Sequence, residues 1–433
     1  MSYIENDKIK VANLKNRTAD YLYDKTDKLQ VFLDFFERNK EIILATTSAI
    51  TILILLFLII FNLKSYRVKR YLGKMIKIEE EKKKNPLASN EEYISKNNNY
   101  RLSDFYIASA YKCYLPCTYY YDYSSVDAII RCISAGARYL HFDIFPDNGL
   151  WDGGLRPNAD PVVCNGDEIG NWHLTTSIKF DEVCKIINIY ALGNPAPNSQ
   201  NVIENVDLYN TIMNADDPLF IHLSLKCWGQ TAVIDKCADI LLEYFGHNLL
   251  AYSSNENFKY AFCGTQSNTN IALTPINELR GSIIIICDAE DANDIKNSKL
   301  FEVANISPNF GGVCRMSTYE MIRDVQDQKE LIDYNKQNLT IVRPTEYGRD
   351  KSNYNFYTPW YMGCQFLALN YTLNDQFINN YVQLDNRFGK FSFQLKPEAL
   401  RYKPITIKVP EEQNPNVTFQ TQDLQLPNGN ARV

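Results

Sequence analysis

The chain has four histidines, and an imidazole titrates near neutral pH, so these are the first places to look for acid–base chemistry. Two stand out. His173 sits just before Leu174, Thr175, Thr176 and Ser177, in a polar stretch able to swing toward a nearby site; His141 lies at an expected strand end beside Asp143. For each, the plainer alternative is a histidine hydrogen-bonded at a loop or strand terminus, and that alternative carries more weight. The 11 cysteines are odd in number and lie between Cys113 and Cys364, with no C-x-x-C spacing, so neither a zinc nor a redox site is indicated. Scattered buried thiols in a reducing compartment fit better than a disulfide framework.

These residues need a scaffold. Short apolar runs at 137–145 (ARYLHFDIF), 219–225 (LFIHLSL), 282–287 (SIIIIC) and 364–371 (CQFLALNY) predict buried strands. Between them, 125–135, 180–190 and 231–245 repeat apolar residues at helical spacing. Strand and helix alternating over roughly 300 residues predict a parallel α/β fold, and an eight-stranded TIM (β/α)8-type barrel matches that length. Residues 288–336 are weakly patterned and polar, as a linker between two barrel halves would be. An aromatic-rich run at 119–123 reads as a packed loop over the barrel mouth or as a contact for a membrane or partner.

Residues 42–63 carry no charge, and some 20 apolar residues at about 1.5 Å each match the roughly 30 Å hydrocarbon core of a bilayer. The expected organisation is a polar, helical segment at 1–41, a transmembrane helix at 42–63 and a charged tether at 64–99. A barrel follows at 100–400, with halves at 100–287 and 337–400, then a tail at 401–433. Cations are denser after the span (Lys64, Arg67, Lys69, Arg70, Lys74, Lys77) than before it, which favours the barrel on the cytoplasmic side. The same segment could grip anionic lipid, although a plain stop-transfer flank is an equal reading. A net charge of −6 gives no footing for nucleic-acid binding.

In order along the chain, IASAYKCYL, SSVDAIIRCISAGARYLHFDIF, PVVCNG, LTTSIKFDEVCKII, PLFIHLSLK, LTPINELRGSIIII, KSNYNFYTPWYMGCQFLALNYT and FQLKPEALR are similar to the X and Y halves of the phosphoinositide-specific phospholipase C catalytic barrel. That resemblance implies an attack of the inositol 2-hydroxyl on the adjacent phosphate, served by two histidines and a calcium ion. Carried over position by position, it puts Tyr111 and Asn165 where the histidines are expected and Lys112 at a calcium-binding Asn. His141, Asp143 and Lys226 fall at the acidic calcium positions, so Asp143 alone keeps an acidic ligand. The run expected to contact inositol phosphates falls near 340–343, with Arg343 at its end, so the guanidinium and phenol of the family are displaced or absent there. The ammonium groups of Lys112 and Lys226 could still neutralise a phosphate without any metal, which gives binding rather than turnover. An Asn amide has no useful pKa, and a tyrosine near 10 is a poor base at pH 7. The resemblance therefore implies a lost calcium site and no catalytic residues, with His173 and His141 as the candidates for rescue. Asn353, Tyr354, Trp360, Gln365 and Asn370 match the second half and read as structural.

The leading expectation is a membrane-anchored, catalytically inactive barrel acting as a scaffold or as a module for anionic lipid or inositol phosphate. Two alternatives stand beside it. One is an active, calcium-independent phosphodiesterase with a rearranged site. The other is a structural membrane protein, conceivably of a virion, whose barrel makes only protein contacts.

Overall fold

Residue alternation decides how the central strands sit. In the computed structural model, β3 (Tyr139–Pro146), β6 (Leu219–Leu225) and β7 (Ile283–Ala289) run parallel, in register Tyr139↔Phe220↔Ile284, His141↔His222↔Ile286 and Asp143↔Ser224↔Asp288. Side chains alternate faces with period 2. Leu140, Phe142, Ile144, Ile221 and Leu223 therefore pack outward with the apolar faces of α2 (Val126–Ser134), α3 (Phe180–Leu192) and α4 (Thr231–Phe245). The odd-numbered residues of β3 and the even-numbered ones of β6 and β7 point inward. There Tyr139, Phe220 and Ile284 join Phe105, Ile107, Ile341 and Phe366 in an inner core.

The wall closes through one split strand. β1 (Phe105–Ile107) pairs in parallel with β10 (Phe366–Leu367), and β2 (Ser109–Ala110) pairs in parallel with β3, so residues 105–110 join two sheets. The second sheet continues through β9 (Leu339–Arg343) to β8 (Cys314–Thr318), both parallel to their neighbours. Antiparallel strands decorate it: β4 (Pro161–Val163) and β5 (Ile178–Lys179) beside β3, and β11 (Phe393–Leu395) beside β1. The expected barrel is thus present in mixed-sheet form. β12 (Asp423–Leu426) and β13 (Gly429–Arg432) form a separate hairpin.

The structure describes residues 29–74, 85–90, 93, 100–116, 124–147, 159–166, 176–194, 214–253, 260, 270–310, 312–345, 353–371, 375–382, 387–403, 423–426 and 429–432. His173 and the aromatic run 119–123 lie outside them. Residues 1–75 form one unit and 76–433 another. In the first, α1 (Lys40–Lys74) runs beyond the expected end at 63, and Lys40–Ile59 is long and apolar enough to cross a membrane.

Two expected boundaries move. The tether was expected to reach residue 99, yet the Leu87 amide donates to Asp217 Oδ1 at 2.7 Å and Tyr93 packs edge-on against Phe105 at 5.5 Å. Apolar residues in a charged segment find a surface to cover. The linker expected at 288–336 contains β8 and much of the hydrogen bonding around it, because polar residues such as Asn305 and Asn309 tie its turns to β7.

Candidate active site

The cluster runs from the inward faces of β3, β6 and β7, which carry His141, Asp143, His222 and Asp288, to the turn after β2, toward the carboxyl ends where barrel folds place their sites. Lys112 follows β2 with φ of 43°, a left-handed conformation that costs a non-glycine residue roughly 1 kcal/mol or more. The loop is fixed on either side. Tyr111 N–H donates to Leu369 O at 2.8 Å, and Leu115 N–H donates back to Lys112 O at 3.0 Å. The strained turn brings the Lys112 ammonium within 2.9 Å of Asp143 Oδ2 and 3.0 Å of Asn165 Oδ1. Tyr114 donates its hydroxyl to the same Asp143 oxygen at 2.8 Å and lies 3.0 Å from Cys164 O. Burial, reinforced by Asp143, pushes the Tyr114 phenol well above its usual range, so it stays a donor. Asp143 is thereby neutralised by an ammonium and held by a phenol, both out of water.

Tyr111 stacks on His141, ring centres 4.7 Å apart. His141 was expected at a strand end; it is instead the third residue of β3 and 4% exposed. Burial first, then the neighbouring His222, holds its pKa well below the usual histidine range, so the ring is neutral. Its Nε2 is 3.9 Å from Asp143 Oδ1, and its Nδ1 is buried without a hydrogen-bond partner among the described residues.

Sequence reasoning missed His222. Its ring meets that of His141 edge-on at 4.9 Å. Nε2 lies 2.5 Å from Asp288 Oδ1, Nδ1 bonds the Tyr139 hydroxyl, and Ser224 Oγ donates to Asp288 Oδ2 at 3.0 Å. Burial raises the Tyr139 phenol well above its usual range, so Tyr139 donates to Nδ1 and Nε2–H donates to Asp288. Burial alone would raise Asp288, but the His222 hydrogen bond and its other polar and cationic neighbours, Lys226 among them, bring it down to about 2. A signal was available: a histidine inside LFIHLSL, matched in period by the aspartate that ends SIIIICD. Lys226 follows β6 and acts on Asp288; Arg343 ends β9 and acts on His141 and Tyr139. Every described candidate is therefore brought to one end of the barrel.

A calcium ion takes six to eight oxygen ligands. Asp143 and Asn165 both already face the Lys112 ammonium, and among the described residues no group of three or more His, Cys, Asp or Glu side chains is placed to hold a metal. These residues do not fit the ion that the family resemblance implies.

Residues 98–287 match the phosphatidylinositol-specific phospholipase C X domain, and residues 292–399 match its Y domain, in that order and over more than half of the chain. The chain belongs to the phosphatidylinositol-specific phospholipase C family. The Y match begins at 292, inside the stretch expected as a linker. Within the family the chain is similar to inactive phospholipase C-like protein 1 of Homo sapiens, 21% identical over 323 residues, covering 69% of this chain and 27% of that protein. It is also similar to 1-phosphatidylinositol 4,5-bisphosphate phosphodiesterase zeta-1 of Homo sapiens, 23% identical over 360 residues, covering 71% and 52%. A stretch of 93 residues is 36% identical to the gamma-2 phosphodiesterase of Rattus norvegicus, covering 22% of this chain and 6% of that one. The chain spans about half or less of each of these phospholipase relatives. The crystal structure of L. pealei PLC21 shares the fold, with a TM-score of 0.53 at 19% identity, covering 74% of this chain and 39% of that one.

Proposed function

We propose that this phospholipase-C-like barrel does not turn over phosphodiesters and that its mouth binds the phosphate of an inositol phosphate or lipid head group through Lys112, Lys226 and Arg343. One observation carries the reading: Lys112 closes an ion pair with Asp143 at 2.9 Å and takes Asn165 as a second partner. By resemblance Lys112 falls at a calcium-binding position of the family, and positions 111 and 165 offer a phenol and an amide where imidazoles are expected. Lys112, Lys226 and Arg343 are the cations that would meet a phosphate there. No calcium is needed in this reading. The apolar helix is the membrane anchor, and the cations that follow it hold the barrel on the cytoplasmic side.

The test is an assay of the purified full chain in mixed micelles containing radiolabelled phosphatidylinositol 4,5-bisphosphate and calcium. The expected result is no release of inositol trisphosphate above a protein-free control; robust release ends the proposal. A second reading has an observation of its own. The neighbouring His141 and His222, with the Tyr139 and Asp288 hydrogen bonds, form a pair of imidazoles that a rearranged hydrolase would use. Both rings are buried and His222 is held at both nitrogens, which weighs against it. If release occurs, His222→Ala and His141→Ala should each abolish it, and activity surviving both variants would remove this version too.

A further inference from the structure

A second cleft opens beside the amino end of β1, whereas the mouth lies beyond the carboxyl end of β2. Its volume is about 860 Å³, within the size range of small-molecule sites. Four cations line it, Arg387, Lys390, Lys396 and Arg401, with Tyr106 and Trp360 among its aromatic walls, and none of the described lining residues is an Asp or Glu. The chain as a whole carries a net charge of −6, so this concentration of positive charge is not a product of composition.

The cations are built in rather than scattered on a surface. Lys396 is 1% exposed; its ammonium donates to Asn335 O at 3.1 Å and sits 5.7 Å from the centre of the Tyr106 ring. That is one acceptor among the described residues for a group with three donors. Burial brings its pKa down to about 7, which marks the cost of keeping an amine there. Arg401 has its Nε buried without an acceptor among the described residues, and its guanidinium lies 5.2 Å from the centre of the Tyr100 ring. Arg387 lies over Trp360 at 5.1 Å, and Trp360 stacks on Tyr106 at 3.7 Å. Asp104 acts on Lys396 and Glu398 on Arg401, but neither carboxylate lines the cleft, so the cations on its wall exceed the acidic groups beside them and favour an anion between them. A phosphate monoester brings close to two negative charges at neutral pH. Guanidinium groups suit phosphate oxygens through paired hydrogen bonds.

We infer that this cleft binds a small phosphorylated anion, held by Arg387, Lys390, Lys396 and Arg401. The inference stands apart from the mouth and holds whether or not the barrel is catalytic. The test follows thermal unfolding of the full chain in detergent micelles with inorganic pyrophosphate as probe and citrate as control. Pyrophosphate should raise Tm at low salt, and the effect should fall as ionic strength rises. Arg387 and Lys390 are exposed, so Arg387→Gln and Lys390→Gln leave the fold intact and should each weaken the response roughly tenfold. Lys396→Met removes a buried charge and should abolish the response in a chain that still unfolds cooperatively. A phosphorylated inositol lipid added to the micelles identifies the source: competition with pyrophosphate marks a lipid head group, and no competition marks a soluble phosphate ester. A missing pyrophosphate response, or one that survives in the Arg387, Lys390 and Lys396 variants, overturns the inference.

Discussion

Lys112 shows how one substitution decides the character of a site. Its ammonium is buried against Asp143, and breaking a buried ion pair leaves an uncompensated charge that costs far more than a surface pair would. Lys112→Met should destabilise the chain by about 3 kcal/mol in urea unfolding, and adding Asp143→Asn should recover more than half of that. A loss below ~1 kcal/mol would show the pair to be open to water. Asp288 makes a different prediction. Its pKa is lower in the folded chain, about 2 against an ordinary 3.8, so its contribution is present above pH 4 and lost as pH falls from about 4 toward 2. The difference corresponds to about 2 kcal/mol. Asp288→Asn should lower stability at pH 7 by about that amount and flatten the acid limb; an unchanged limb would mean that the His222 bond is not maintained in solution. Order along the chain singles out Lys112 and Asp143 as candidates. For His222 it offers only a histidine inside an apolar run, because its partners Tyr139 and Asp288 are 83 and 66 residues away in sequence and meet it only through strand register.

Among the elements, the strands and helices of the first half follow the expected pattern closely, since period-2 apolar runs and 3.6-period faces both report burial. Residues 364–371 were expected as one strand, yet β10 spans only Phe366–Leu367, with a further bridge from Leu369 to Ala110. Side chains take over the pairing there. Gln365 donates to Ser103, Asn335 and Asn338 carbonyls and accepts from the Thr340 amide, while Asn353 and Asn370 bond each other through side chain and backbone. The structural role expected of these residues is apparent in those bonds. The apolar helix offers an element-scale test. Its large apolar residues between Ile42 and Ile59 are exposed within the chain's own fold, as lipid-facing residues would be. Alkaline carbonate should fail to extract the chain from membranes. Leu53→Arg with Leu55→Arg should release it, since each arginine at a span centre costs about 3 kcal/mol on insertion scales. Retention of the double variant would locate the membrane attachment elsewhere.

For the molecule as a whole, calcium separates the proposed reading from the family's usual chemistry. A ligand present at a hundredfold over its Kd adds about 2.7 kcal/mol to folding stability. Millimolar calcium or a chelator should therefore leave Tm unchanged, whereas a clear rise with calcium would mean that oxygen ligands assemble despite Lys112. By itself the sequence determined the α/β pattern of the barrel and the apolar helix, because periodicity and composition are local properties of a chain. Only the tertiary structure decided that Lys112 pairs with Asp143, that His141 and His222 share the lumen, and that four cations gather beside β1. The Lys112 and histidine contacts join residues from different strands, the cations come together through the turns around β11, and in each case the strength comes from the exclusion of water that packing the barrel produces.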